Sequence, residues 1–380
     1  MIKENQENIK TKILDEYKKN KIKYDYFTKQ MRLLIEQILA AKDVKVKAIT
    51  SRSKDISSLD DKITRKDYKY EDLHDITDLC GIRIITYYDD DVYKIEEIIK
   101  NNFKVDIENS IDKIKSLGFD RFGYMSLHYV VQLNDTRGNL EEYANYKNIK
   151  FEIQIRSVLQ DAWAEIEHEL SYKTGIMLPP DIKRTFSRLS SLLETADISF
   201  RNLRDKINSY TEIAIEEIDK EKDVELNDIT LSVFLKSNFY TNYLKIFKTK
   251  LEEQLNKDIE IIASSLMSSY TKRFKYNSVN TIKEIEKYLN EYLEEILLFG
   301  KHIHEGDTGD KISISSNWPL FALNYALLVN NGEEQNLYNN VVKYFKDTDI
   351  SWGENRITKQ DKEIWVENLR RVFLKKDSVQ

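Results

Sequence analysis

Cysteine is all but missing: Cys80 is the only one in 380 residues. That excludes a disulfide framework within the chain and any cysteine-rich zinc site. Proline and glycine are scarce, at 3 and 10. So little turn material points to a helix-rich protein with few long loops. No apolar run approaches the ~20 residues of a membrane span, and no charged-then-apolar leader opens the chain. No membrane partner is expected, and the cytoplasm is the default compartment. Charge of one sign is missing too. Charged residues make up 33% of the chain, yet the formal net charge is only -6, with no acidic or basic tail. Charge alone therefore names no partner. Nor is there a G-x-x-x-x-G-K-[ST] loop, a G-x-G-x-x-G turn, a G-x-S-x-G elbow or an H-E-x-x-H helix. The dipeptide His74-Asp75 lacks a second His/Asp cluster, so it is a weak sign of a metal phosphohydrolase.

What is present supports a full core. Hydrophobic residues make up 41%, enough for two or three domains. Residues 1–48 read as helices, with an apolar face at Met31, Leu34, Ile35, Ile38 and Leu39. A polar, basic stretch, "AITSRSKDISSLDDKITRK", leads into a short helix. "CGIRIITYY" is an apolar strand, followed by the acid run Asp89-Asp90-Asp91 and the helix "VYKIEEIIKNNF". "MSLHYVVQL" and "IKFEIQIR" are further strands. Weaker strands are expected near 103–107 and 147–152, with antiparallel pairing through "NDTRGN". From Trp163 onward the text is helical, and "NWPLFALNYALLVNN" and "EIWVENLRRVF" look amphipathic. The fold expected is α+β: a mixed sheet flanked by helices over 49–207, then an all-helical region over 208–380.

The stretch "FEIQIRSVLQDAWAEIEHELSYK" changes period partway. Phe151, Ile153 and Ile155 alternate with Glu152, Gln154 and Arg156, as in a half-buried strand. Leu159, Ala162, Trp163, Ile166 and Leu170 then recur at helical spacing, which suggests a helix clamping the strand from behind. A charged row on a solvated sheet face is the bland reading of that acid, amide and guanidinium, and the adjacent amphipathic helix makes it a poorer fit.

Three other clusters carry more polarity than packing needs. Arg52, Lys54, Ser58 and Lys62 gather around a loop-to-helix junction and suit a polyphosphate. Asp78 stands at the entrance of a strand that carries Gly81 and Arg83. A carboxylate there suits Mg²⁺, which takes one or two carboxylates plus substrate phosphates. In "RFGYMSLH", Tyr124 offers a stacking face for a base and His128 lies in a strand. Each cluster alone has an ordinary reading as solvated surface, cap or core.

Taken in order, "SRSKDISSLDDK", "DLCGIRI", "GYMSLHYVV", "FEIQIR" and "AWAEIEHELSYK" resemble the synthetase domain of the RelA/SpoT family, the (p)ppGpp synthetases, especially its small alarmone synthetases. The likeness runs from about residue 30 to about residue 205. It implies a mixed five-stranded, nucleotidyltransferase-like sheet. It implies transfer of the β,γ-pyrophosphate of ATP to the ribose 3′-OH of GTP or GDP, with AMP released. Carried over by position, Asp78 and Glu152 would hold Mg²⁺, with Mn²⁺ as a substitute, and Glu152 would activate the hydroxyl. Arg52, Lys54, Ser58, Lys62 and Arg83 would bind ATP. Tyr124, His128, Gln154, Arg156 and Asp161 would bind the acceptor nucleotide, Asp161 standing where many members have Asn or His. Asp120 stands where a basic residue is common, Arg121 is one place along, and Met125 stands where Arg is common. These departures weaken the acceptor 5′-phosphate site. They keep open a toxic relative that modifies the tRNA 3′ end and works with an antitoxin-like protein, its RNA contact supplied by Lys18, Lys19, Lys21 and Lys23. A catalytically inactive nucleotide-binding module is the remaining alternative. The 48 residues before the domain are too few for the hydrolase domain of longer members, so product removal is expected to fall to another protein. Residues 208–380 are expected to regulate or to form a homo-oligomer.

Overall fold

The computed structural model describes residues 2–65, 69–112, 126–172, 179–264, 268–307, 309–330, 337–347, 363 and 366–374. The chain divides into two compact units, Met1–Asp205 and Lys206–Gln380. In the first, the order is α1 (Ile2–Ala41), β1 (Ala48–Ser53), α2 (Ile56–Arg65), β2 (Cys80–Thr86), α3 (Asp89–Asn102), β3 (Phe103–Asp112), β4 (Leu127–Leu133), β5 (Phe151–Ser157), α4 (Val158–Tyr172) and α5 (Pro180–Asp219), within which the boundary falls.

The five strands form one sheet in the order β1-β2-β5-β4-β3. Only β2 and β5 run parallel; the other pairs are antiparallel. Expected antiparallel pairing across "NDTRGN" is present between β4 and β5. Because side chains alternate across a strand, Phe151, Ile153 and Ile155 take one face and are fully buried. Phe27 of α1 meets Phe151 edge-on at 5.5 Å. The α1 face expected to be apolar is buried from Met31 to Leu39 in this same core, as are Val92, Ile95 and Ile99 of α3. With α1 and α3 on the odd face, Glu152, Gln154 and Arg156 are left for the other.

The acid run is the first turn of α3. Carboxylates there oppose the positive end of the helix dipole. They also receive α5: Arg201 Nη1 donates to Asp89 at 2.7 Å, and Arg204 reaches both oxygens of Asp90 at 2.9 and 2.8 Å. Ser157, closing β5, caps α4: Gln160 N donates to its Oγ at 3.1 Å, and Ser157 N donates to Gln160 Oε1 at 2.9 Å. That reciprocity is a capping box. It explains why the strand period stops and the helical period starts between Arg156 and Val158.

Several expectations need correction. β1 was not expected; its edge position and polar text, "AITSRS", give almost no alternation to read. β3 is longer than expected, and residues 147–150 form no strand. In α4, Trp163 is buried and meets Phe186 at 5.4 Å. Ile166, expected with Trp163 to clamp the strand, is more than half exposed, as is Leu170 of the same apolar series. His74 and Asp75 belong to a capping box with Asp72.

The second unit holds α6 (Asp228–Phe234), α7 (Asn238–Leu255), β6 (Asp258–Ile262), α8 (Ser268–Tyr276), α9 (Ile282–Glu291), α10 (Leu293–His304), β7 (Lys311–Ser315), α11 (Trp318–Asn330) and α12 (Leu337–Asp347). It is mainly helical as expected, but β6 and β7 add a two-stranded parallel sheet. α11 is not amphipathic: it is buried from Pro319 through Val329 except at Phe321, as a helix apolar on all sides must be. Trp318 stacks on Phe247 at 5.6 Å, an ordinary core role; Trp365 lies outside the described residues. No described helix is long and apolar enough to cross a membrane.

Candidate active site

The sheet face that carries Glu152 and Gln154 is the floor of a cavity of about 520 Å³. Register builds it: Arg52 pairs with Gly81 and Gly81 with Glu152, while Thr50 pairs with Arg83, Arg83 with Gln154 and Gln154 with His128. Two in-register rows therefore cross the sheet, the first over three strands and the second over four. Gly81 leaves a gap in the first row. A Cβ there would meet only the Arg52 carbonyl, at an ordinary 3.7 Å. The backbone does not demand glycine; its missing side chain keeps the floor open beside Glu152.

Asp78 lies between two lysines. Lys54 Nζ donates to its Oδ2 at 2.9 Å, and Lys62 Nζ lies 2.7 Å from Oδ1. Burial pushes this carboxyl up, but the two ammonium groups outweigh it and hold it below its ordinary range. Glu152 is also held on both sides, by His128 Nδ1 at 2.8 Å and Gln154 Nε2 at 3.0 Å. Burial raises its carboxyl and the hydrogen bond from His128 lowers it; the net direction is down, against a further upward push from Asp78. The two carboxylates thus repel one another across one cavity.

A hydrogen-bonded chain extends from Glu152. Gln154 Oε1 accepts from Arg156 Nη2 at 2.9 Å, and Arg156 Nη1 donates to Asp161 Oδ1 at 3.2 Å. The same Asp161 oxygen lies 3.3 Å from Arg83 Nη1, which donates to Glu165 at 2.6 Å. The Arg83 hydrogen bond, outweighing burial, holds Glu165 low. Asp161 and Glu165, one turn apart on α4, therefore grip Arg83 from one helix face.

Of the residues singled out in the sequence, Arg52, Lys54, Ser58, Asp78, Arg83, Glu152 and Gln154 line the cavity. Lys62, His128, Arg156 and Asp161 stand behind them, each bonded to a lining group. Tyr124 lies outside the described residues, as do Asp120, Arg121 and Met125. Sequence reading missed Asp55 and Glu165, which also line the cavity. For Glu165 a signal existed: it falls four residues after Asp161, on the same helix face.

Among the described residues no group of three or more His, Cys, Asp or Glu could hold a metal. The donor chemistry still fits a hard cation: two hard carboxylates facing one cavity suit an ion that draws its remaining ligands from substrate phosphates.

Sheet and cavity form a polar cleft on a mixed five-stranded sheet, lined by cations and carboxylates together. Residues 51–177 match the family described as "Region found in RelA / SpoT proteins". The chain is 28% identical over 165 residues to GTP pyrophosphokinase YjbM of Bacillus subtilis (strain 168), covering 43% of this chain and 74% of that one. It is 27% identical over 161 residues to GTP pyrophosphokinase YwaC of the same organism, covering 42% and 73%. The crystal structure of small alarmone synthetase 1 from Bacillus subtilis aligns with a TM-score of 0.43 at 24% identity, over 51% of this chain and 99% of that one.

Proposed function

We propose that the first unit is an ATP:GTP/GDP pyrophosphotransferase that makes pppGpp and ppGpp. One observation carries this reading: Asp78 and Glu152 face one cavity, and Lys54, Arg52 and Arg83 line it with them. Phosphoryl-type transfer needs alignment and charge neutralisation more than covalent help. The cations would hold the donor polyphosphate. Glu152, kept ionised, would accept the hydrogen bond of the attacking 3′-hydroxyl, while His128 and Gln154 fix its two oxygens. The bond that forms joins the 3′-oxygen to the β-phosphorus. The bond that breaks joins that phosphorus to the α–β bridging oxygen, and the pair leaves with AMP. The hydroxyl proton passes to Glu152 or to solvent. Asp78 and Glu152 would hold Mg²⁺, which supplies Lewis-acid stabilisation of the developing phosphate charge when bound.

The test is label partition. The full chain is incubated with γ-³²P-labelled ATP and, separately, GDP, GTP or bulk tRNA. Label in GDP or GTP is expected. Label in tRNA alone would replace this reading with the tRNA-modifying one. No transfer in any arm would leave the inactive binding module.

A further inference from the structure

α1 meets the end of β1 with polar groups. Tyr17, Lys21 and Asp25 recur every four residues, on one side of the helix. Lys21 and Asp25 both hold Ser53, the last residue of β1: Lys21 Nζ donates to its hydroxyl, which donates to Asp25. Tyr17 Oη donates to the carbonyl of the next residue, Lys54, at 2.6 Å.

The peptide so held carries a cavity cation. Lys54 N donates to the Leu79 carbonyl at 2.8 Å, and Leu79 follows Asp78. With Tyr17 on its carbonyl, the Lys54 backbone is bonded at both ends, while its Nζ donates to Asp78 at 2.9 Å. Packing alone would be met by Phe at position 17. The ring is fully buried and lies 5.3 Å from that of Tyr24. What the hydroxyl adds is the bond to Lys54. Burial pushes this phenol far above its ordinary range, so it stays a donor at any working pH.

We infer that Tyr17 is a positioning residue for the donor nucleotide: it fixes the backbone of Lys54, and through Lys54 it sets the affinity of the cavity for the ATP polyphosphate. This role rests on the transferase reading proposed above. A lysine ammonium sits on a flexible four-carbon stem. Anchoring the root of that stem removes part of the ordering cost that phosphate binding otherwise carries. Tyr17 lies outside residues 51–177, so the matched region borrows the alignment of one of its cations from the helix before it.

The test is transfer kinetics of the full chain, with ATP varied at saturating GDP, beside equilibrium dialysis of labelled ATP with Mg²⁺. Tyr17→Phe is expected to raise the KM and the Kd for ATP about fivefold, with kcat held within about twofold. Tyr24→Phe removes a neighbouring hydroxyl from the same helix and is expected to change none of these. A cycle with Lys54→Ala separates positioning from packing: in that background Tyr17→Phe is expected to cost no further ATP affinity, because the hydroxyl acts through Lys54. If Tyr17→Phe does not fold, Asp25→Ala, which releases Ser53 instead, takes its place in the cycle. Wild-type ATP affinity in Tyr17→Phe overturns the inference. So does an equal loss with and without Lys54, the result a merely structural role would give. A wild type that binds ATP and transfers nothing refutes the transferase reading, and the dialysis cycle still decides the role of Tyr17. A wild type that binds no ATP refutes both.

Discussion

The two units spend their polar residues differently. In Met1–Asp205, charged side chains converge: five carboxylates, a histidine, two lysines and three arginines meet on or just behind one sheet face. In Lys206–Gln380, hydrogen-bonding side chains mostly close helix ends, as Asn227, Ser237 and Thr281 do. Its interior holds a run of aromatic contacts: Phe247, Phe299, Trp318, Phe321 and Tyr325 meet in series. Convergent charge is costly to fold and is kept where it acts on something. Caps and stacked rings contribute stability and no chemistry. On the proposed reading, turnover belongs to the first unit.

The largest expected effect tests that assignment at its centre. Asp78→Asn and Glu152→Gln should each lower pyrophosphate transfer by about 10²-fold or more, with the melting curve nearly unchanged. Normal turnover by either variant would undo the site. The converse change belongs in the second unit. Phe247 is fully buried against Trp318, so Phe247→Ala should cost about 4 kcal/mol of stability. Transfer assayed at low temperature should be unaltered; a parallel loss of transfer would dissolve the contrast between the units.

A third substitution probes the chain behind the floor. Arg156 is buried and bonded to Asp161 and Gln154. Arg156→Met strips a half-buried carboxylate of one partner and should destabilise the first unit by about 3 kcal/mol in urea unfolding. Loss below ~1 kcal/mol would mean that Arg83 alone satisfies Asp161.

The smallest effect depends on pH. Asp197, on α5, is buried against Ser157, and burial pushes its carboxyl up to about 6, aided by Asp89 and opposed by Ser157 and Arg201. A carboxyl raised in the fold keeps its proton there while the unfolded chain has lost it. Stability therefore falls as pH rises from about 4 to about 6, and the loss is complete above that. Asp197→Asn should gain about 2 kcal/mol at neutral pH and nothing near pH 4. A gain independent of pH would show that ionisation is not its cause.

The site was more legible than its surroundings. Glu152, Gln154 and Arg156 declare a polar face because strand period is strict, and pairing with β2 and β4 brings Arg83 and His128 beside them. β1 was illegible because an edge strand owes its form to its neighbour, β2, rather than to its own apolar pattern. Periodicity announced an apolar face on α4 and could not say what covers it; Ile166 and Leu170 proved open. In α11, "LFALNYALLVN" has no polar side, so burial on all sides was there to be read. The Arg201 and Arg204 pairs with Asp89 and Asp90 span more than a hundred residues, and no local rule reaches that far.

The most direct test of the central claim is nucleotide accounting. The full chain is incubated with ATP and GDP or GTP, and the nucleotides are separated by anion exchange. One AMP should form for each guanosine nucleotide that gains two phosphates. ADP in place of AMP, or AMP with no guanosine product, would contradict it.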